Sequence, residues 1–193
     1  MITAGFAFEH PETRTRVTVL ESDAETGGAG WLLEIRRFAP VPDLAEHLHT
    51  TWTETFEIVS GAARYSLDGV EGALGAGESF VVPPRHPHVH PWNATGDELV
   101  YRQRTRFARP SAAAVQDVLG VLATRAGLIR DGAAPRGAVG KLLQQAVIAR
   151  TVARHGNYMS RPSASVQDGI AATLGRLGEL LGYRAVHPRY VGA

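Results

Sequence analysis

The residues with the clearest capacity for chemistry lie in HLHTTWTETFEIVSG, residues 47–61. His47 and His49 are two positions apart, so on an extended strand both imidazoles project from one face, where a metal ion can bridge them. Glu54 follows the polar stretch TTWT, which can turn the chain and return a carboxylate toward the two imidazoles. If Glu54 points inward, Phe56 and Ile58 do as well, and Glu57 is sent to the opposite face. On that parity Glu54, not Glu57, is the expected ligand.

A second cluster, GESFVVPPRHPHVHPWN (residues 77–93), runs from a strand-like segment through a proline-rich turn into His86, His88 and His90 at alternate positions. One of these three is expected to complete the site. Two or three neutral imidazoles with one carboxylate form a mixed N/O set suited to Fe(II), Mn(II), Ni(II), Cu(II) or Zn(II), with coordination positions left open. The chain has no cysteine, so thiolate ligands, thiolate nucleophiles and disulfides are all excluded.

The elements that position these residues come from a strand-like front. RVTVL, WLLEIRRF, ETFEIVSG, ARYSLDG, ESFVVP and DELVYRQRTRF recur at close intervals, separated by Gly, Pro, Asp and Asn. Many short strands with frequent turns predict a sandwich or barrel. Near Arg109-Pro110 the composition turns rich in Ala and Leu, which sets the expected division at 1–109 and 110–193. Behind it the apolar spacing predicts three helices: Ser111 to Ile129, Pro135 to about His155, and from Pro162 to Gly182.

With these residues in place, the chain from about Gly30 to Arg106 resembles the cupin superfamily. The first cupin motif is His-x-His, three or four residues, Glu, six residues and Gly, and it is met by His47, His49, Glu54 and Gly61. The second is matched by Gly77, Pro83, His88 and Asn93, with two departures. Arg85 stands where the family usually has glycine, and Asn93 comes one residue late. The resemblance implies a mainly β fold with α, a double-stranded β-helix (jelly-roll barrel) followed by about three helices. It also implies one divalent metal ion, Fe(II), Mn(II), Ni(II) or Zn(II), on His47, His49, Glu54 and His88.

His86 and His90 share strand parity with His88 and are candidate proton shuttles or alternative ligands beside Glu54, although Pro87 and Pro91 favour a structural or rim position for both. Trp52, Phe56, Tyr65, Trp92 and Tyr101 are candidates to wall a substrate cavity. Arg64, Arg85, Arg102 and Arg104 are candidates to hold a planar anion such as a carboxylate or phenolate, Arg102 among the expected substrate-binding residues, although most of the four read as solvated strand-face charges.

The three-His, one-Glu pattern is similar to that of flavonol- and diketone-cleaving cupins. The resemblance therefore implies a dioxygenase-type reaction on a small enolic, diketone or phenolic substrate. The alternative is a non-redox isomerase, cyclase or dehydratase, in which the ion polarises a carbonyl while a nearby side chain moves protons. A ligand-binding sensor without catalysis is the further alternative.

The 193 residues, 44% hydrophobic, suffice for one ordinary core plus an appendage, and 20 basic against 19 acidic side chains create no global field for an anionic partner. The arginines of the rear, Arg150, Arg154, Arg161, Arg176, Arg184 and Arg189, are scattered, so no nucleic acid is expected as a partner. The N-terminal MITAGFAFEHPETR lacks a basic segment followed by an apolar stretch. The expectation is a soluble, cytoplasmic homodimer that acts on a small molecule and takes no membrane partner.

Overall fold

Period-two alternation in the front half closes into two antiparallel sheets. The computed structural model describes residues 1–192 apart from positions 39, 41 and 43. Ten strands precede the helical rear: β1 (Ala7–His10), β2 (Thr15–Glu21), β3 (Gly30–Arg37), β4 (His47–His49), β5 (Trp52–Ser60), β6 (Ala62–Leu67), β7 (Val70–Gly75), β8 (Ser79–Val82), β9 (His88–Asn93) and β10 (Leu99–Phe107). An eleventh, β11 (Asn157–Met159), comes from the rear itself. The larger sheet runs β1-β2-β3-β10-β5-β8 and the smaller β11-β4-β9-β6-β7.

The parity is clearest on β5, where Trp52, Glu54, Phe56 and Ile58 are buried and Glu57 is exposed. On the neighbouring β10, Tyr101, Gln103 and Thr105 point inward, whereas Arg102 and Arg106 are exposed. Inward-facing Trp31, Leu33, Ile35, Phe56, Ile58 and Leu99 belong to one apolar cluster. Each such side chain contributes about 1.5–3 kcal/mol relative to exposure. The rings of Trp31, Trp52 and Phe107 meet edge-on, with centroids 5.1–6.1 Å apart. Gly61 turns the chain between β5 and β6 at φ 84°, and a Cβ there would lie 2.7 Å from the Glu98 carbonyl oxygen, which explains why this position takes glycine.

Three helical stretches follow, close to the expected bounds. A short α1 (Asp23–Thr26) lies earlier, between β2 and β3. In the rear, α2 (Ala112–Arg130) starts at Ser111, whose side chain accepts the Ala114 amide, and α3 (Gly137–Ala153) follows. The third stretch, α4 (Ala164–Ile170), passes through one π-type turn at Ala171–Gly175 into α5 (Arg176–Leu180). Val115, Val118, Leu119 and Ala123 of α2 join the barrel's apolar cluster. By length and composition, with a mean hydropathy of 1.4, α2 could cross a bilayer; in this fold 56% of that stretch is buried within the protein.

Besides the expected helices, the rear holds one short strand. Asn157, Tyr158 and Met159 pair antiparallel with His49, Leu48 and His47, so β11 covers an edge of the strand that carries both histidines. Three residues between Gly156 and Pro162 are too few to show a period, so the sequence gives no sign of this strand.

Candidate metal centre

Three strands bring the expected groups together. On β4, both His47 and His49 are buried, two residues apart on the inner face. The start of β5 places Glu54 opposite, only 2% exposed. On β9, His88 is in direct register with His47 and fully buried, and His90 follows on the same face.

The donor atoms of His47, Glu54, His88 and His90 all lie within 4.8 Å of one another. Glu54 Oε2 is 3.2 Å from Nε2 of His88 and 3.2 Å from Nε2 of His90. His49 stands beside this group. Its ring stacks on Trp52 at 4.3 Å between centroids, and its Nδ1 is 3.8 Å from the same carboxylate oxygen. The structure thus surrounds Glu54 with four imidazoles and puts His90, whose side chain is 14% exposed, in the tightest set.

The expectation that Pro87 and Pro91 would hold His90 at the rim is corrected by a bulge. The β6–β9 register shifts between Arg64 and Ser66, opposite His90 and Pro91, so the proline interrupts no regular ladder. Its carbonyl is also used, accepting from the buried Arg37 guanidinium at 3.0 Å. His86 lies outside the cluster. Its side chain is 45% exposed and its Nδ1 is 2.7 Å from Asp68 Oδ2, so it cannot shuttle a proton at this centre.

Hydrogen bonds to backbone carbonyls set the tautomers. His47 Nδ1 lies 2.9 Å from Ala45 O and His88 Nδ1 3.0 Å from His86 O. When each Nδ1–H donates there, Nε2 keeps its lone pair for the interior. Nδ1 of His49 and Nε2 of His90 are buried without a hydrogen-bond partner among the described residues. Burial, followed by the neighbouring imidazoles, holds His47 well below the usual histidine range. Burial, partly opposed by Glu54, lowers His49 to about 3. Burial alone would raise Glu54, but the surrounding imidazoles, His49 and His90 foremost, outweigh it and hold the carboxyl well below its ordinary value. Neutral imidazoles and an ionised carboxylate are the protonation states a divalent ion requires.

The other carboxylate oxygen is fully engaged. Glu54 Oε1 accepts from Gln103 Nε2 at 2.8 Å, Thr105 Oγ1 at 3.2 Å and Trp52 Nε1 at 3.4 Å. One oxygen is anchored and the other is aimed at the imidazoles. Adjacent ligands on an ion at about 2.1 Å lie roughly 3 Å apart, and the 3.2 Å separations match that spacing. The residues present therefore fit a divalent metal.

The centre opens on a cavity of about 110 Å³ whose walls include Trp31, Leu33, Trp52, Tyr101 and, from α2, Leu122 and Arg125. Of the expected wall residues, Trp52 and Tyr101 line it. Phe56 sits beneath His90, at 4.9 Å, and stacks on Phe80. Tyr65 stacks on the far side of Phe80, and half-buried Trp92 pairs with Arg64 across β6–β9. Neither lines the cavity. Arg102 is on the outer face of the larger sheet, 3.7 Å from Glu34, which corrects its expected role. Gln103, Thr105 and Arg125 escaped the sequence reading. The first two were within reach of it, as the uncharged members of the alternation in YRQRTRF.

Residues 35–101 match the family model described as the cupin domain. Three solved structures illustrate the likeness. A predicted oxalate decarboxylase from Thermotoga maritima is 13% identical, with 54% of this chain and 93% of that one covered and a TM-score of 0.45. A cupin-superfamily sugar phosphate isomerase from Silicibacter pomeroyi is 17% identical, covering 48% and 59%, at 0.41. A cupin protein from Bacteroides fragilis is 19% identical, covering 45% and 72%, at 0.41. No curated protein matches the sequence. The matched segment lies within the two-sheet barrel and holds the inward His/Glu set, so the chain carries a cupin domain across residues 35–101.

Proposed function

We propose that this protein is a metal-dependent cupin enzyme that carries out a dioxygenase-type reaction on a small enolic, diketone or phenolic substrate. The observation that carries the reading is the buried cluster of imidazoles around one anchored carboxylate, opening on a mostly apolar cavity. His47, His88, His90 and Glu54 would hold one Fe(II), Mn(II) or Ni(II) ion, with His49 alongside. Such an ion, when bound, supplies open positions for a chelating substrate and for dioxygen. The chain does the rest. Trp31, Leu33 and Trp52 exclude water from the cavity, Gln103 and Thr105 keep Glu54 oriented, and the backbone carbonyls of Ala45 and His86 hold two rings in place. Engineered cavities of ~150 Å³ take up benzene, so this space suits a single ring or a short-chain diketone.

One observation favours a second reading. Five side chains converge where four suffice, leaving His49 or His90 available to accept a proton from a substrate carbon beside a polarised carbonyl. With Zn(II) that arrangement would serve an isomerase, cyclase or dehydratase.

Elemental analysis of wild type and Glu54→Ala, followed by oxygen-uptake assays with acetylacetone and catechols, tests both. Near-stoichiometric iron, nickel or manganese, lost in the variant and accompanied by oxygen consumption, supports the oxygenase. Zinc with exchange of substrate protons for solvent deuterium supports the second reading. A wild-type protein that takes up no metal even on anaerobic reconstitution refutes both.

A further inference from the structure

The stripe that α2 lays over the barrel mouth is Val118, Leu122, Arg125 and Ala126, at i, i+4, i+7 and i+8, one helix face. Three of these are apolar, as a covering face requires. The fourth is a guanidinium, half-buried against a cavity whose other α2 residues are aliphatic.

Among the described residues Arg125 has no hydrogen bond, ion pair or ring contact. Glu12 lines an adjoining cleft together with Arg125 and Lys141 but forms no ion pair with Arg125. Among the described residues the one carboxylate that lines the cavity, Glu54, is engaged at both oxygens by Gln103, Thr105, Trp52 and the imidazoles. A guanidinium drawn partly out of water without a counter-ion is unfavourable, and it presents a planar fork that matches a carboxylate. The cavity therefore carries histidines and a carboxylate at one end and an unmatched fixed cation on the helical cover.

We infer that Arg125 is a substrate-binding residue and that the substrate is a small carboxylate-bearing molecule, held by its carboxylate at Arg125 and presenting its enolic, keto or phenolic oxygen to the His/Glu centre. This deepens the metal-enzyme reading and rests on it. It places a determinant of specificity on α2, outside residues 35–101 of the matched domain.

The test compares two probes that share an enolised diketone and differ in one group, acetopyruvate, which has a carboxylate, and acetylacetone, which has none. Binding to the metal-loaded protein is measured by calorimetry for wild type, Arg125→Gln and Arg125→Lys, with metal content determined on each sample. Wild type should prefer acetopyruvate by about ten-fold or more, the strength of one charge-assisted fork. Arg125→Gln should abolish the preference while metal content and acetylacetone affinity stay unchanged, and Arg125→Lys should retain part of it. No preference in wild type, or a preference that survives in Arg125→Gln, overturns the assignment. If no variant holds metal, the metal reading has failed separately, and the same pair titrated against metal-free protein still decides Arg125 by whether the preference is present.

Discussion

Gln103 donates from Nε2 to Glu54 Oε1 at 2.8 Å, which leaves Oε2 facing Nε2 of His88 and of His90 at 3.2 Å each. The two oxygens of one carboxylate thus have separate duties, one fixed to β10 and one turned to the imidazoles. Replacing Gln103 with Leu removes the shortest of the three hydrogen bonds that anchor Oε1 and keeps the volume. Metal affinity should fall by about 10–100-fold, the usual cost of losing a hydrogen bond behind a ligand, with the fold intact. A competition titration with a chelator reads this directly, and an unchanged affinity would show that the anchor is dispensable.

His90 and His86 flank His88 at equal distance in sequence and differ in every structural respect. His90→Ala should weaken metal binding by at least about ten-fold, whereas His86→Ala, which removes only an exposed contact with Asp68, should leave it unchanged. Metal content after dialysis distinguishes the two, and equal losses would contradict this placement.

The metal-free protein should be acid-labile. His49 has its folded value at about 3, below the unfolded range near 6.5, so between those values the unfolded chain binds the extra proton and stability falls as pH drops. His47 acts in the same direction. Glu54, also held low, contributes stability that is present above its ordinary value and lost as pH falls through its folded one. Urea midpoints should therefore decline progressively below about pH 6.5, and His49→Gln should flatten the upper part of that decline. A midpoint independent of pH down to 4 would contradict the protonation states assigned here.

Arg85 occupies the position where the second motif normally has glycine, and it adopts the left-handed conformation, φ 72°, that glycine favours. Its amide donates to the His49 carbonyl at 2.5 Å, so the turn is tied to the histidine strand. Relief of the left-handed strain in Arg85→Gly, partly offset by the greater freedom of the unfolded chain, should stabilise the protein by about 0.5–1 kcal/mol. Thermal unfolding checks the sign.

What the sequence disclosed and what it hid divide along physical lines. The parity of β5 was legible because Trp52, Glu54, Phe56 and Ile58 alternate with polar residues in one uninterrupted run, and parity alone separated Glu54 from Glu57. The helices were legible because apolar spacing persists over several turns. His90 was misjudged because proline is a strong local signal and the bulge on β9 that accommodates Pro91 shows only in its pairing with a distant partner strand, β6. Arg125 was invisible as a cavity residue, because its significance depends on which face of α2 meets the barrel. Arg102 was misplaced because an arginine's type says nothing of the side of the sheet it faces.

The pairing of β11 with β4 has a temporal consequence. Thr50, next to the histidine pair, is hydrogen-bonded to the Gly156 carbonyl, a partner 106 positions later in the chain. During synthesis both imidazoles leave the ribosome long before the strand that flanks them exists. A nascent or truncated chain ending before Asn157 displays the His-x-His pair on a strand with one unpaired edge, and acquires its finished surroundings only once α3 has emerged and the chain has doubled back. The histidine strand is thereby flanked on both edges only after Met159 has been made, although every donor of the cluster is already present by His90.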